Sequence, residues 1–331
     1  MGVGSLPEII GIGEILVDFV ALEQGFHVNV PSFLKRLGGA PMNCMIVAKK
    51  LGVETGVIAA VGNDPFGDFL ISELKKNGVD ITRVKRKNAR TTITFIVNDP
   101  NTGEKSFLFY REPWVKGTAD NLLSPGDIDE EYIAQAKILH ISGFAMSQEP
   151  SREAVFRAID IAAKNKVQIS FDPTLCLDVW NNQDEINEVY SKVLKKVDIA
   201  TFSREEAAFI LGELDPLKAA KKALEYGLKI VGIKIGGEGS LILKDTGKGI
   251  KASAFQIEPV DTTGAGDAWN AAFLVGLIKG WGLEKCILFA NAAGAHACMH
   301  KGATEGIPTL PELEKFVVKW RNAVKIEYIE V

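Results

Sequence analysis

The sequence predicts an α/β fold: helices on both faces of a mainly parallel sheet, three layers in all, with a small antiparallel β lid. Three observations predict it. From Ile138 onward, short apolar runs alternate with helix-length amphipathic segments, as a parallel sheet covered on both faces requires. The chain opens on another such run, Glu8-Ile9-Ile10-Gly11-Ile12-Gly13, whose unbroken apolar character suits a buried strand. Between the two lies a hairpin texture foreign to βα alternation. Residues 1–331 read as one domain, with the lid formed by about 15–36 and 90–112.

The first strand delivers Glu14 and Asp18 to its carboxyl end, where open α/β sheets place ligands. Acids at strand ends are commonly just solvated, yet Asp18 leads straight into the apolar Phe19-Val20. Next, Leu37-Gly38-Gly39-Ala40-Pro41-Met42-Asn43 precedes a helical pattern over 44–51 that Gly52 closes. The paired glycines permit close backbone approach, Pro41 suits a first helical turn, and Asn43 can project its amide toward a ligand. A second buried strand is expected at 57–61. After the turn Gly62-Asn63-Asp64, a helix runs over 66–77 and Gly78 caps it. The β-rich runs 91–97 and 106–110 are joined by Asn98-Asp99-Pro100-Asn101-Thr102-Gly103, which reads as the lid hairpin. Arg111 ends its second strand, either reaching a polar ligand or standing exposed; residues 114–118 read as loop.

Further strands are expected at 138–141, 167–171, 198–202, 229–235 and 240–243. Helices are expected at 151–164, 185–196, 204–211, 216–226, 264–279, 283–300 and 311–322. Ser151 is a natural N-cap, and Thr309-Leu310-Pro311-Glu312 has capping-box spacing. No repeat or low-complexity tract interrupts the pattern.

Composition excludes several classes. The 331 residues are 47% apolar and 24% charged with net charge −4, so there is no basic footprint for nucleic acid. Residues 1–7 lack the basic and apolar regions of a signal peptide, and the longest apolar run, 268–278, is too short to span a bilayer. Cys44, Cys176, Cys286 and Cys298 are too dispersed for a disulfide scaffold and read as reduced thiols of a cytoplasmic protein. The four histidines are equally scattered, and no zinc-type spacing exists.

The chemistry concentrates in Val260-Asp261-Thr262-Thr263-Gly264-Ala265-Gly266-Asp267-Ala268-Trp269-Asn270. A polar turn opens into a helix N-terminus, where unsatisfied N–H groups and the dipole favour an anion. An acid in a first helical turn usually just complements the dipole. Beside two glycines that shape an anion site, Asp267 instead reads as a proton acceptor. A Walker A loop is absent, and Gly11-Ile12-Gly13-Glu14 does not complete a dinucleotide-binding fingerprint.

The order of these pieces resembles the ribokinase-like (PfkB) carbohydrate kinases along nearly the whole chain. The motif Asp261-Thr262-Thr263-Gly264-Ala265-Gly266-Asp267 is highly specific, and Gly38-Gly39-Ala40-Pro41-Met42-Asn43 is a second match. The resemblance implies that the Gly264, Ala265 and Gly266 backbone binds the transferring γ-phosphoryl of ATP while Asp267 takes the proton of the sugar hydroxyl. With an ordinary aspartate pKa of about 3.9, that transfer would come late. On the ATP side it implies Lys234, Gly236 and Gly239 of Ile233-Lys234-Ile235-Gly236-Gly237-Glu238-Gly239-Ser240, together with Asn291, although a buried helix-packing asparagine is the plain alternative. For the sugar it implies Asp18, Gly38, Gly39, Asn43 and Arg111. Mg²⁺ would accompany ATP, organised through water by Glu206. A monovalent cation such as K⁺ would lie among Asp261, Thr263, Ala297, His300 and Gly302, held largely through carbonyl oxygens.

Tyr110-Arg111-Glu112-Pro113, Phe171-Asp172-Pro173 and Trp180 look most like fructokinases and 2-keto-3-deoxygluconate kinases. Departures exist. Where those families read Asp-Pro-Asn-x-Arg, this chain has Asp172-Pro173-Thr174-Leu175-Cys176, and Asn-x-x-Glu is replaced by Ser203-Arg204-Glu205-Glu206. The expectation is an ATP-dependent sugar kinase acting on a primary hydroxyl, with fructose first and 2-keto-3-deoxygluconate, ribose or a nucleoside as rivals. A kinase-like binding protein with weakened catalysis is the rival of another class. A homodimer through the lid would cover its open sheet face.

Overall fold

The computed structural model describes residues 6–102, 104–304 and 306–331. The reading of residues 1–5 and of the turn glycine Gly103 therefore lies outside the described residues. The first arm runs β1 (Ile9–Ile12), β2 (Leu16–Ala21), β3 (Phe33–Gly38), α1 (Ala40–Lys50), β4 (Thr55–Gly62), α2 (Pro65–Lys76) and β5 (Asp80–Lys87). Then come β6 (Ile93–Asn98), β7 (Lys105–Tyr110), α3 (Glu130–Ala134), β8 (Ile138–Ser142), α4 (Ser151–Lys164), β9 (Gln168–Asp172) and α5 (Gln183–Leu194). After β10 (Ile199–Ser203) follow α6 (Arg204–Leu211), α7 (Pro216–Leu224), β11 (Ile230–Lys234), β12 (Ser240–Lys244) and β13 (Lys248–Ala252). The chain closes with α8 (Ala265–Ile278), α9 (Leu283–Cys298), α10 (Leu310–Trp320) and β14 (Ile326–Glu330).

The large sheet has the order β14-β13-β12-β11-β10-β9-β8-β1-β4-β5. Strands β5 to β11 in that order pair in parallel, and the β12, β13 and β14 flank is antiparallel. Strand β1 sits between β4 and β8, so the chain winds one way from it and then the other. That switch point opens a crevice at the carboxyl ends of the strands. One core layer joins β1 to α3–α7 through Ile10, Ile12, Val155 and Val189. The other joins it to α1, α2, α8, α9 and α10 through Ile9, Met45, Phe273 and Leu313. Gly11 faces α1, where a Cβ would come within 2.7 Å of Met45 Cγ. Burial on both faces is why β1 is apolar without alternation.

Three strands, β5, β13 and β14, are not predicted by apolar pattern. Of the two edge strands, Asp80-Ile81-Thr82-Arg83-Val84-Lys85-Arg86-Lys87 is mostly charged and Ile326-Glu327-Tyr328-Ile329-Glu330 carries two glutamates, the usual protection against edge pairing. β13 is short and carries two lysines and a glycine.

The lid is a four-stranded sheet in the order β3-β2-β6-β7. Its outer pairs are antiparallel as expected, but the central β2–β6 pair is parallel. The reason is connectivity, since β2 and β6 are separated by an entire βα arm. Register places Asp18, Thr94 and Phe109 in one row, with Ile96 and Phe107 in the next. Residues Lys105, Phe107, Phe109 and Arg111 therefore start out on one face.

Arg111 corrects an expectation. It shares that face, but at the root of the lid, where it is fully buried rather than open to a sugar. Its Nε donates to Asp120 Oδ2 at 2.7 Å, Nη1 to Ser147 Oγ at 2.6 Å and Nη2 to Asn121 Oδ1 at 3.1 Å. Thr92 Oγ1 donates to the other oxygen of Asp120. One buried carboxylate thus holds the residues just before β6 and just after β7. Asp120→Ala would strand the guanidinium without a counter-charge, and we expect a loss of about 3–5 kcal/mol in urea unfolding. Adding Arg111→Met should recover part of that loss, because the unpaired charge is then gone.

Candidate active site

Parallel strands end on the same edge, and that edge collects the polar residues. Glu14 follows β1, while Asp172, Ser203 and Lys234 end β9, β10 and β11. The N-terminus of α8 faces this row. Gly264 is its N-cap with φ 74°, and a Cβ there would stand 2.6 Å from Ala303. Only glycine fits both constraints. The Ala265 N–H is turned to Thr262 O at 3.3 Å, so of the three expected phosphate donors this one is already engaged. The N–H groups of Gly266 and Asp267 belong to the first turn and have no acceptor within the helix.

Three contiguous cavities meet at this helix end. The first, about 350 Å³, is lined by Gly236, Gly239, Phe255, Ile257, Asn291 and Gly266. Its walls are mostly apolar with exposed backbone, as a flat heterocycle requires. The second, about 410 Å³, is walled by Asp18, Gly39 and Asn43 on one side and by Lys105, Phe107 and Phe109 of β7 on the other. Between them a third, about 380 Å³, shares Lys234 and Gly266 with the first and Glu206 and Asp267 with the second. Asp267 therefore stands at the door of the lid-covered cavity. Asn43 Nδ2 donates to its Oδ2 at 2.9 Å.

Burial sets the acidity here. Asp267 is pushed up to about 7, chiefly by desolvation, with the Asp172 and Glu206 carboxylates adding to the rise and Asn43 and Lys234 opposing it. The ordinary value expected from sequence does not hold. Asp18 rises to about 7 through burial and the charge of Asp267, and Glu14 to about 8 through burial. Asp172 goes the other way, to about 2: burial works against its charge, but Lys234 Nζ at 2.6 Å outweighs it, helped by Asn270. Lys234 is correspondingly held above its ordinary value, because Asp172 and Glu206 overcome its burial. The junction thus carries one neutralised pair and one acid that can exchange a proton near neutrality.

Several expected residues take different positions. Gly38 does not line the cavity; a Cβ on it would come within 2.3 Å of Asp18 Oδ2, so its smallness makes room for that carboxylate. Asn291 is the floor of the first cavity, its amide spent on Ser240, Trp269, Ala252 and Ser253. Glu206 reaches the junction with both oxygens accepting backbone N–H groups, from Ser203 at 2.7 Å and Leu175 at 2.9 Å. Ser203 completes a capping box on α6, which explains how serine can stand where relatives carry asparagine. Glu206 brings only carboxylate oxygen to the junction, which fits a Mg²⁺ held through water rather than by direct ligation.

The side-chain oxygens of Asp261 and Thr263, two members of the expected monovalent-cation set, are engaged within the chain. Lys105 Nζ, reaching over from β7, donates to Asp261 Oδ1 at 2.5 Å and to Thr263 Oγ1. Gly302 N–H takes Asp261 Oδ2 at 2.9 Å, and the Ala297 carbonyl accepts His300 N–H. The His300 ring stacks on His296. Among the described residues no group of three or more His, Cys, Asp or Glu could hold a metal ion. Sequence reasoning missed Lys105, Phe107 and Phe109 as cavity walls, although their alternation with Arg111 along one strand was the available signal.

Comparison with known proteins identifies the family. Residues 7–310 match the pfkB family carbohydrate kinase profile. The 5-dehydro-2-deoxygluconokinase of Clostridium perfringens is 34% identical over 318 residues, covering 94% of this chain and 93% of that protein. An uncharacterised sugar kinase from Pyrococcus horikoshii, solved with ATP, superposes with a TM-score of 0.81 at 32% identity, covering 93% and 97% of the two chains. A fructokinase double mutant from Vibrio cholerae O395, solved with fructose, ADP and potassium ion, gives 0.81 at 27% identity, covering 94% and 98%. The chain belongs to the pfkB carbohydrate kinase family and has its ribokinase-like fold. Among the described residues, no helix is long and apolar enough to cross a membrane.

Thr174, which lines the second and third cavities, adopts φ 42° although it is β-branched. That conformation is costly for threonine and far easier for asparagine. Thr174→Asn should therefore raise the melting temperature by about 2 °C in calorimetry. A fall would mean that the Thr174 hydroxyl, 3.2 Å from Asp172 Oδ1, contributes more than the strain costs.

Proposed function

We propose that this pfkB-family kinase transfers the γ-phosphoryl of ATP to the primary hydroxyl of a six-carbon keto sugar. The single observation that carries the reading is Asp267, standing between two connected cavities directly under a helix N-terminus. The adenosine end belongs in the cavity of Gly236, Gly239 and Asn291, and the acceptor in the cavity under the lid. Asp18 and Asn43 suit polyol recognition, since a carboxylate and an amide can each meet adjacent hydroxyls.

As the acceptor oxygen bonds to phosphorus, Asp267 accepts its proton and the bond from phosphorus to the leaving oxygen of ADP breaks. Raised to about 7, Asp267 is a far better proton acceptor than an ordinary aspartate. Gly266 and Asp267 N–H groups, with Lys234 close by, stabilise the charge that develops on the equatorial oxygens. Mg²⁺, held by Glu206 through water, would neutralise phosphate charge. The aromatic face of the lid excludes water from the reacting groups.

Two acceptors rest on different observations. The relatives named 5-dehydro-2-deoxygluconokinase, similar over 94% of this chain, support a keto sugar acid. Fructose is supported by the acids Asp18, Asp267 and Glu206 around the cavity and by the withdrawal of Arg111, with no arginine among the described residues that line it. Coupled ADP release across 5-dehydro-2-deoxygluconate, 2-keto-3-deoxygluconate, fructose and ribose separates them. ADP release with none of the four, despite ATP binding in calorimetry, would favour a catalytically silent binding protein. The exposed Leu108 and Tyr110 of the lid support pairing of two copies, which light scattering tests.

Asp267→Asn should lower kcat at least a hundredfold, the ordinary weight of a general base, with the circular dichroism spectrum unchanged. A variant retaining more than about a tenth of wild-type kcat removes Asp267 from that role. Because the carboxylate form is the active one, wild-type kcat should fall as pH drops through about 7 and level off above it.

A further inference from the structure

The contact between Lys105 and the loop before α8 joins two parts of the chain 156 residues apart. It is not an ordinary surface pair. The Lys105 and Asp261 side chains are 17% and 9% exposed, and the ammonium is shared by a carboxylate and the Thr263 hydroxyl. Thr263 Oγ1 and N–H also meet Asp261 Oδ1, at 2.7 and 2.9 Å, while Gly302 N–H fills Oδ2. Burial works against the charge of Asp261, yet Lys105, Thr263 and Gly302 together hold it down to about 2. Both Asp261 oxygens and the Thr263 hydroxyl are therefore satisfied from within the chain. A dissolved cation does not fit these side-chain oxygens while Lys105 is in place.

Position gives the contact its consequence. Lys105 is the first residue of β7, on the lid, and lines the same cavity as Thr262, Thr263, Gly264 and Asp267. The loop it grips runs into the Gly264 N-cap one residue later. Displacing the lid pulls an ammonium away from this loop, and displacing the loop moves the first turn of α8.

We propose that Lys105 is a positioning residue whose ammonium serves as the built-in cation of the Asp261–Thr263 loop, tying lid position to the α8 N-terminus and making dissolved K⁺ dispensable. It rests on the kinase reading above for its catalytic consequence, but the tie itself is independent of any substrate. The lid then does two things at once: it closes over the acceptor, and it supplies the charge that holds the anion-binding turn in place.

Two measurements on the full chain test this. In thermal unfolding without substrate, Lys105→Met and Asp261→Asn should each lower the melting temperature by about 3 °C, and the double variant little further. Additive losses, or no loss in Lys105→Met, would overturn the tie. In turnover with K⁺ replaced by tetramethylammonium, the wild type should stay within about twofold of its rate in K⁺, while Lys105→Met should lose roughly tenfold or more. Added K⁺ should restore part of that loss, and Lys105→Arg should need less rescue than Lys105→Met. A wild type that depends strongly on K⁺, with Lys105→Met no different, would overturn the built-in cation. If the wild type turns over none of the four sugars, the kinase reading has failed, and the unfolding cycle alone decides the tie.

Discussion

Everything at this site depends on a helix that begins inside the protein. The first turn of α8 presents N–H groups that the helix cannot satisfy, next to acids that burial has stripped of water. Left alone, such a cluster would be a net electrostatic cost. Here each charge is assigned: Asp172 to Lys234, Asp261 to Lys105, and Glu206 to two backbone N–H groups. Asp267 is the exception, held by a single side-chain amide and raised to about 7. The structure pairs off Asp172 and Asp261 and leaves Asp267, with Asp18 across the lid-covered cavity, able to take up a proton near neutrality.

That arrangement is built by topology rather than by local sequence. Because β1, β9, β10 and β11 are parallel neighbours in one sheet, residues from 14 to 234 arrive at a common edge. The lid adds the other wall. Its two central strands come from opposite sides of a βα arm, so its rigidity relies on the buried Asp120 carboxylate at its root. Strain is tolerated where it serves this edge, as at Thr174, which turns the chain between the second and third cavities. Two of the replacements relative to related kinases are mild in structural terms: Ser203 still caps α6, and Thr174 keeps the turn on Asp172.

Comparing particular residues shows how much was legible beforehand. The βα alternation, the lid hairpin and the Gly264–Asp267 turn were readable because each is a local pattern with a local cause. The edge strands β5 and β14 were not, since their charged residues answer to the solvent rather than to the core. Arg111 was readable as a strand-end residue that either reaches a polar ligand or stands exposed, but its burial behind Phe144 required knowing that Asp120, Asn121 and Ser147 converge there. Lys105 was legible only through its alternation with Phe107, Phe109 and Arg111, since a lysine at the start of a hairpin strand is otherwise an ordinary surface residue.

By itself, the sequence determined the fold class, the position of a helix end with unsatisfied N–H groups and the acid within it, because these follow from backbone geometry over a few consecutive residues. Only the tertiary structure decided the state of those groups. The acidity of Asp267, the neutralisation of Asp172 and the partner of Asp261 each depend on burial and on charges brought from distant parts of the chain. Electrostatics inside a protein is set by what lies across space, and short-range pattern does not contain it.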